Sequence, residues 1–478
     1  MPEEKTNFYN RKEELALLRK KYTDIEKSGK GVMLAVYGRR RVGKTELIKK
    51  FIREFKDQKL YFYVDLAERR VILNSLSKAI KEQLNENPTF EDFEDFFKYL
   101  INKLDKDKFI LFIDEFQRFL DTAPEFITSL QKHWDNTLKD KKIMIFLVGS
   151  SIGMIQKVTN SKAGALYGRA QKIKISPFKY KDFRLMFKEL DEEEKVLRYG
   201  VFGGTPFYLE KTKPFRHTLD AVHELIIKKD SELSEEPKNL LEYENVRIHA
   251  KYNSILQSIS AGKEILKEIQ DFTKMPVSNL PPYITKLDSL LDLVKRNDPI
   301  NGKERLGRYK ITDNFFRFWY RFVFENQSAL NMGARDQILK LIKNDLNSYI
   351  GKIFEDIIKE LLISYNGKEI KGFKIDFENI GSWWDRSGNE IDILAFNSRE
   401  KTFLVGEVKW SSKPVDVDVM DDVSRKSKLI NLSGMYTFLI VSKSGFTEKC
   451  LEKMRENRFL YMDLKDLSQL FNKISEND

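Results

Sequence analysis

Two stretches of this 478-residue chain set reactive side chains at spacings that chemistry would use. The first runs Gly38, Arg39, Arg40, Arg41, Val42, Gly43, Lys44, Thr45 and fits G-x-x-x-x-G-K-[ST] in full. Its glycines let backbone N–H groups curl around phosphate oxygens, and a following helix would add the positive potential of its N-terminus. Lys44 can reach the β and γ phosphates of ATP, and Thr45 can ligate Mg²⁺. Further on, FILFIDEF (109–116) is an apolar run that ends in two acids. Asp114 there would hold the Mg²⁺ shell and Glu115 could polarise the attacking water, so that Lys44 and Glu115 are the catalytic candidates for ATP hydrolysis.

The second stretch lies near the other end. EIDILAF and TFLVGEVKW read as a hairpin whose loop is centred between Arg399 and Glu400. Any even-length loop about that midpoint pairs residues whose numbers sum to 799, which sets Asp392 opposite Glu407 and Glu390 opposite Lys409, all four on one face. Facing carboxylates repel. A divalent cation, Mg²⁺ or Mn²⁺, gives them a reason, since these ions prefer carboxylate oxygens and keep positions for water and phosphate. Lys409 beside it could orient a hydroxide or offset charge on a phosphorane, which is metal-assisted phosphodiester hydrolysis with Asp392, Glu407 and Lys409 as its catalytic set. The competing expectation is a solvated face with Glu390 and Lys409 as an ion pair, and a one-residue slip would part the acids.

The first set needs a sheet behind it. GVMLAVY before the glycine loop, then KLYFYVDL (59–66), FILFIDEF, KIMIFLVGSS (142–151) and KIKISPF (172–178) are apolar runs separated by helical stretches, which predicts a parallel sheet in a three-layer α/β sandwich. Ser150 or Ser151, at the end of the fourth run, could sense the γ phosphate. Arg169, in GALYGRA, is a candidate to approach a nucleotide in the same or a neighbouring subunit, and a nucleotide-dependent homo-oligomer is the corresponding expectation.

Composition narrows the class. One cysteine among 478 residues excludes an internal disulfide framework and a cysteine-rich zinc module, and fits a reducing cytoplasm. The N-terminus is charged from the start, without an apolar signal region. The longest charge-free stretches, 143–156 and 429–442, hold 14 residues each, short of the roughly 20 a membrane helix needs, so a soluble cytoplasmic protein with no membrane partner is expected. Lys+Arg against Asp+Glu is 43 to 32 for residues 1–215, 18 to 17 for 216–330 and 23 to 24 for 331–478. The net charge of +11 therefore resides in the first segment, and later segments could grip a polyanion only through local patches. His133, His217, His223 and His249 have no metal-ligand spacing.

Residues 216–250 read as a helical connector. YNSILQSISA, GKEILKEIQDFT and a third helix opened by SNLPP are followed by the hairpin VKRNDPINGKERLGRYKITD, and this order predicts a winged helix-turn-helix. The third helix offers Lys286 but also Asp288. The hairpin carries Lys303, Arg305, Arg308 and Lys310 against Glu304, which makes those four the candidate DNA contacts, to phosphates rather than bases. Packing against the first domain is the equal alternative. ITDNFFRFWYRFVF (311–324) carries seven aromatics and is expected as interdomain core.

FYNRKEELALL, GRRRVGKT, FIDEFQ, ALYGRA with ISPF, and FGGTPFYL (202–209) resemble the archaeal-type ATPase family, in the STAND group of P-loop NTPases related to AAA ATPases. The resemblance implies a sheet ordered 5-1-4-3-2 and a nucleotide-gated switch rather than a fast hydrolase. Asp392 followed by Glu407-Val408-Lys409 resembles the PD-(D/E)xK motif of restriction-endonuclease-like nucleases, in which Glu355, on the helix GKIFEDIIKELLISY, would be an extra metal-site acid. Two departures stand: no proline precedes Asp392, and DVSRKSKLI lacks the Gln and Tyr of the RecB-type subgroup. The expected architecture is thus a P-loop domain (1–215), a connector with winged helix (216–330) and an α/β restriction-endonuclease-like domain (331–478). The expected function is an ATP-binding switch ATPase joined to a metal-dependent DNA nuclease. The alternatives are a STAND-type regulatory or DNA-binding ATPase whose last domain binds without cleaving, and a replication-initiator-like loader.

Overall fold

Uninterrupted apolar runs become strands covered on both faces, and runs broken by charge become edges. A computed structural model describes residues 8–104, 108–159, 164–243, 249–289, 291–300, 306–430 and 432–477. In it β1 (Val32–Tyr37), β2 (Gln58–Tyr63), β3 (Phe109–Asp114), β4 (Ile143–Gly149) and β5 (Ala170–Lys174) form one parallel sheet in the order β2-β3-β4-β1-β5, which is the expected order read from the other edge. Every residue of β3 and β4 is buried, whereas β2 and β5 alternate with exposed positions.

Alternation along each strand divides the core between two layers. On one face Leu34, Val36, Phe112, Phe146 and Val148 meet Leu15, Leu18 and Ile25 of the helix Lys12–Ser28 and Leu47, Ile48 and Phe51 of the helix Lys44–Ile52. On the other, Met33, Ala35, Leu111, Ile113 and Ile145 meet Leu76, Ile80, Phe96, Phe97 and Leu130. The sheet and its helices belong to a compact unit that runs to Pro177 and includes Thr285–Asp292.

The second compact unit comprises Phe178–Ile284 and Leu293–Asp478. FGGTPFYL falls in it. Gly204 fits there only as glycine, because a Cβ would come within 1.9 Å of the Phe178 carbonyl oxygen. The helix Glu192–Phe202 packs on the helix Asn314–Phe318. Phe315, Phe316, Phe318, Trp319, Tyr320 and Phe322 are all buried, so the aromatic segment is core of this unit. The helices His249–Ser260 and Leu266–Thr273 and the helix Leu280–Ser289, whose last residues count to the first unit, precede an antiparallel pair, β6 (Val294–Asn297) and β7 (Arg308–Ile311).

The rest of this unit is built on the 30-residue helix Arg335–Ser364, which is much longer than the segment 351–365 read from sequence. It is followed by a small pair, β8 (Lys368–Ile370) and β9 (Phe373–Ile375). The second five-stranded sheet comprises β10 (Asn379–Trp384), β11 (Glu390–Asn397), β12 (Thr402–Lys409), β13 (Met435–Ser442) and β14 (Leu460–Met462) in sequence order. Its first three strands are antiparallel and its last two join in parallel, with the helix Val417–Leu429 between β12 and β13.

Glu360, on the 30-residue helix, accepts the backbone N–H groups of Tyr180 (3.0 Å) and Lys181 (2.7 Å). Burial is the main cause that lifts its carboxyl from the ordinary 4.5 to about 7. The folded chain thus keeps this proton to higher pH than the unfolded chain does. Its stabilising contribution is complete below about pH 4.5 and is lost as the pH rises through about 7. Because both carboxyl oxygens accept, Glu360→Gln keeps one acceptor and sets its amide nitrogen against the other N–H. It is therefore expected to melt a few degrees below the wild type near pH 4.5, the deficit narrowing by about pH 8 as the wild-type carboxyl ionises, in parallel thermal melts.

Candidate functional site

The glycine loop leaves β1 and ends at the helix Lys44–Ile52. Gly38, at φ +155°, passes so close to Ile175 that a Cβ would lie 2.1 Å from its carbonyl oxygen, and Gly43 takes φ +89° at the helix N-cap. Lys44 is buried and its ammonium donates to the carbonyl oxygens of Gly38 (2.8 Å) and Arg39 (2.9 Å). Arg39 and Val42 are buried, Arg40 is exposed and Arg41 takes φ +70°. Arg11, which the sequence reading quoted without a role, braces the loop by donating to Val42 O (3.0 Å) and Ser176 O (2.7 Å).

Asp114 closes β3 opposite the loop. Its Oδ2 accepts from Thr45 Oγ1 at 2.9 Å and from Tyr61 OH at 3.2 Å. Burial raises its carboxyl above the ordinary range, and the neighbouring charge of Glu115 adds to this. A buried acid in contact with a threonine hydroxyl at the helix start fits a Mg²⁺ shell. Thr45 and Asp114 would hold the ion, and it would neutralise charge on the β and γ phosphates. Glu115 adopts a left-handed backbone, φ 54°, which side chains rarely take outside functional or turn positions. Its Oε2 accepts from Ser150 Oγ at 3.0 Å and from the Gln117 amide. Ser150 thus sits beside Glu115. Arg169 is held elsewhere: its guanidinium makes a two-point ion pair with Asp135 at 2.8 and 2.6 Å.

In the second unit, the β11–β12 ladder pairs Ile393 with Gly406 through Asn397 with Thr402, all sums of 799. Asp392 is the next residue in that register. Its Oδ2 accepts the N–H of Val408 at 2.9 Å. Burial, then the charge of Glu407, pushes its carboxyl up to about 6. Glu355, on the 30-residue helix, is lifted to about 7 by burial and then by Asp392.

The partners differ from the sequence expectation. Oxygens of Glu355, Glu390 and Asp392 all lie within 4.8 Å of one another, and Glu407 is outside this trio. Two lysines hold the Glu407 carboxylate, Lys409 at 2.6 Å and Lys426 at 3.5 Å. Glu390, expected to pair with Lys409, instead receives Lys352 at 2.5 Å and Arg308 at 2.9 Å. Lys352 also reaches Glu355 at 3.2 Å. Neither Glu390 as a cluster member nor Lys352 was assigned a role in that cluster from sequence. The i, i+3 spacing of Lys352 and Glu355 on one helix face was the available signal.

Of the four expected DNA contacts, Lys303 and Arg305 lie outside the described residues. Arg308 pairs with Glu390 and Lys310 with Asp356, so both are engaged within the chain. No helix among the described residues is long and apolar enough to cross a membrane.

The parallel sheet, the glycine loop and the acid-closed third strand define a P-loop ATPase of archaeal type. Residues 8–212 match the family described as an ATPase domain predominantly from Archaea, and residues 319–421 match a family of archaeal and bacterial proteins of unknown function. The chain belongs to the same family as the uncharacterized protein MJECL04 of Methanocaldococcus jannaschii, to which it is 35% identical over 467 residues, 96% of this chain and 100% of that protein. An uncharacterized ATP-binding protein of the same organism, MJ0423, is 51% identical over 49 residues, 10% of this chain and 76% of its own. Among solved structures, the Walker-type ATPase of Pyrococcus abyssi superposes with a TM-score of 0.51 at 18% identity, over 66% of this chain and 97% of that one. The ORC2 protein of Aeropyrum pernix, solved as ADPNP and ADP complexes, gives a TM-score of 0.47 at 15% identity, over 69% of this chain and 97% of its own.

Proposed function

We propose that this chain is an ATP-binding switch whose nucleotide state governs a metal-dependent phosphodiesterase site in the second unit, with DNA as substrate. The observation that carries the second half is the meeting of buried Asp392 and Glu355 with half-buried Glu390, beside a Glu407–Lys409 pair. Like charges held together under burial are costly, and such clusters are kept where a cation is bound. The mixed sheet with a preceding helix, and the placement of Asp392, Glu407 and Lys409 on adjoining strands, support a restriction-endonuclease-like reading. The three helices with the β6–β7 pair support a winged helix.

Asp392 and Glu355 would hold Mg²⁺ or Mn²⁺, which when bound supplies Lewis-acid polarisation of a phosphate oxygen and a more acidic water. Lys409, anchored on Glu407, would offset charge that grows as water oxygen bonds to phosphorus and gives up its proton to solvent, while the ester oxygen departs and takes a proton from solvent. At the loop, Lys44 would bind phosphates, and Glu115 would orient water with Ser150 beside it. Arg169 would join a nucleotide site only after leaving Asp135. A second reading, a STAND-type regulator whose last domain binds without cutting, is favoured by the cations Lys352, Arg308 and Lys426 that already balance the acids.

Supercoiled plasmid incubated with Mn²⁺ or Mg²⁺, with and without ATP, distinguishes the two. Nicking by the wild type that changes with ATP, and that disappears in Asp392→Ala, is the expected outcome. Nicking that persists unchanged in Asp392→Ala comes from a contaminant. ATP-dependent sedimentation without any scission favours the regulator.

A further inference from the structure

The β6–β7 pair places cations where they repel one another. Lys295 stands directly opposite Lys310, and Asn297 opposite Arg308, with Arg296 between them on β6. Like charges directly across an antiparallel pair are destabilising unless an anion joins them. That anion comes from the same chain. Lys310 pairs with Asp356, and Arg308 donates to Glu390 at 2.9 Å while its guanidinium stacks 4.5 Å from the centre of the Trp384 ring. Two further contacts hold the same junction: Ile300 N donates to Ser382 O at 2.9 Å, and the indole Nε1 of Trp384 donates to Leu306 O at 2.8 Å.

A guanidinium on an aromatic face with a bidentate-capable anion, and a lysine a short step along the strand with another, is the spacing of groups that grips successive phosphates. We propose that the β6–β7 element is a nucleic-acid-backbone contact latched shut by Glu390 and Asp356, which stand in for phosphates. Duplex binding and the docked arrangement then compete for Arg308 and Lys310. The inference deepens the function proposed above and rests on its reading of DNA as substrate, though not on strand cleavage. It has a consequence for the cation site. When Arg308 passes to a phosphate, Glu390 is left to Lys352 and its neighbours Glu355 and Asp392, so backbone binding and cation binding reinforce each other.

The test is fluorescence anisotropy of a labelled short duplex with the full chain. The Glu390→Gln/Asp356→Asn double variant is expected to bind about tenfold tighter than wild type, with a salt slope steeper by roughly one to two ions. Adding Arg308→Ala and Lys310→Ala should abolish that gain. Hydrogen exchange over residues 294–300 and 306–311 should quicken in the double variant and on adding duplex to the wild type. Unchanged affinity in the double variant, a gain that survives loss of Arg308 and Lys310, or unaltered exchange each overturn the latch. Each single acid substitution should give part of the gain, which guards against a double variant that folds poorly. A latch that opens as expected in a chain that never nicks plasmid sinks the nuclease reading alone.

Discussion

Lys44→Ala is expected to lower ATP turnover about 10²–10³-fold, the cost of removing one preorganised donor aimed at charge that develops in a transition state. The loop is built around this side chain. Lys44 is buried, and its ammonium is gathered by the carbonyl oxygens of Gly38 and Arg39, at the two residues that open the loop. Truncation removes the cation that would meet the β and γ phosphates and leaves two carbonyls pointing into the cradle, so nucleotide affinity falls together with the chemical step. Melting temperature should change little, because the sheet beneath is held by β1, β3 and β4 rather than by this contact. Binding of a fluorescent ATP analogue and phosphate release measure the two effects separately. Wild-type turnover in the variant would remove the glycine loop from the mechanism.

Local pattern carried much of this molecule. FILFIDEF and KIMIFLVGSS read as buried strands because no polar residue interrupts them until their ends, and β3 and β4 are the fully buried strands of the first sheet. The 799 register could be read because a short loop fixes both strands. Asn397 Oδ1 accepts the N–H groups of Arg399 (3.0 Å) and Glu400 (3.1 Å), and Lys401 supplies the positive φ of 51° that turns the chain. Partner choice beyond the hairpin was not legible. Glu390 meets Lys352 and Arg308, 38 and 82 residues earlier in the chain, and Arg11 reaches Ser176 across 165 residues. No periodicity encodes which of several nearby cations an acid will meet, because that depends on how whole elements pack.

The ATPase family match runs to residue 212, whereas the first compact unit runs to Pro177. Residues 178–215 continue the motifs of the ATPase family, so sequence assigns them to the first domain. In the structure they belong to the second compact unit, where Tyr199 O accepts from Asn314 Nδ2 at 3.1 Å and Tyr349 OH donates to Gly200 O at 3.1 Å. Motif continuity follows descent, whereas compactness follows burial. In this chain the two part company at Pro177.

Asp392→Asn should act with opposite signs on stability and on function. In the metal-free wild type, Asp392 and Glu355 are buried acids raised to about 6 and about 7, chiefly by burial and then by their acidic neighbours. An acid raised in the folded state favours folding below its unfolded value, and the advantage disappears as pH climbs through the folded value. At about pH 8 both groups therefore weigh against the fold. Asparagine keeps the oxygen that accepts from Val408 N and removes one of the repelling charges, so the metal-free variant should melt a few degrees higher than wild type at that pH. Saturating Mn²⁺ should reverse the ranking. An ion at 100 times its dissociation constant adds about 2.7 kcal/mol to whichever chain binds it, and the variant has lost a carboxylate from the site. Melting curves at about pH 8 with and without Mn²⁺, run beside plasmid nicking, read both signs. A variant that melts lower than wild type without metal, or that gains as much from Mn²⁺ as wild type does, would show that the meeting of Asp392, Glu355 and Glu390 is kept for packing rather than for an ion.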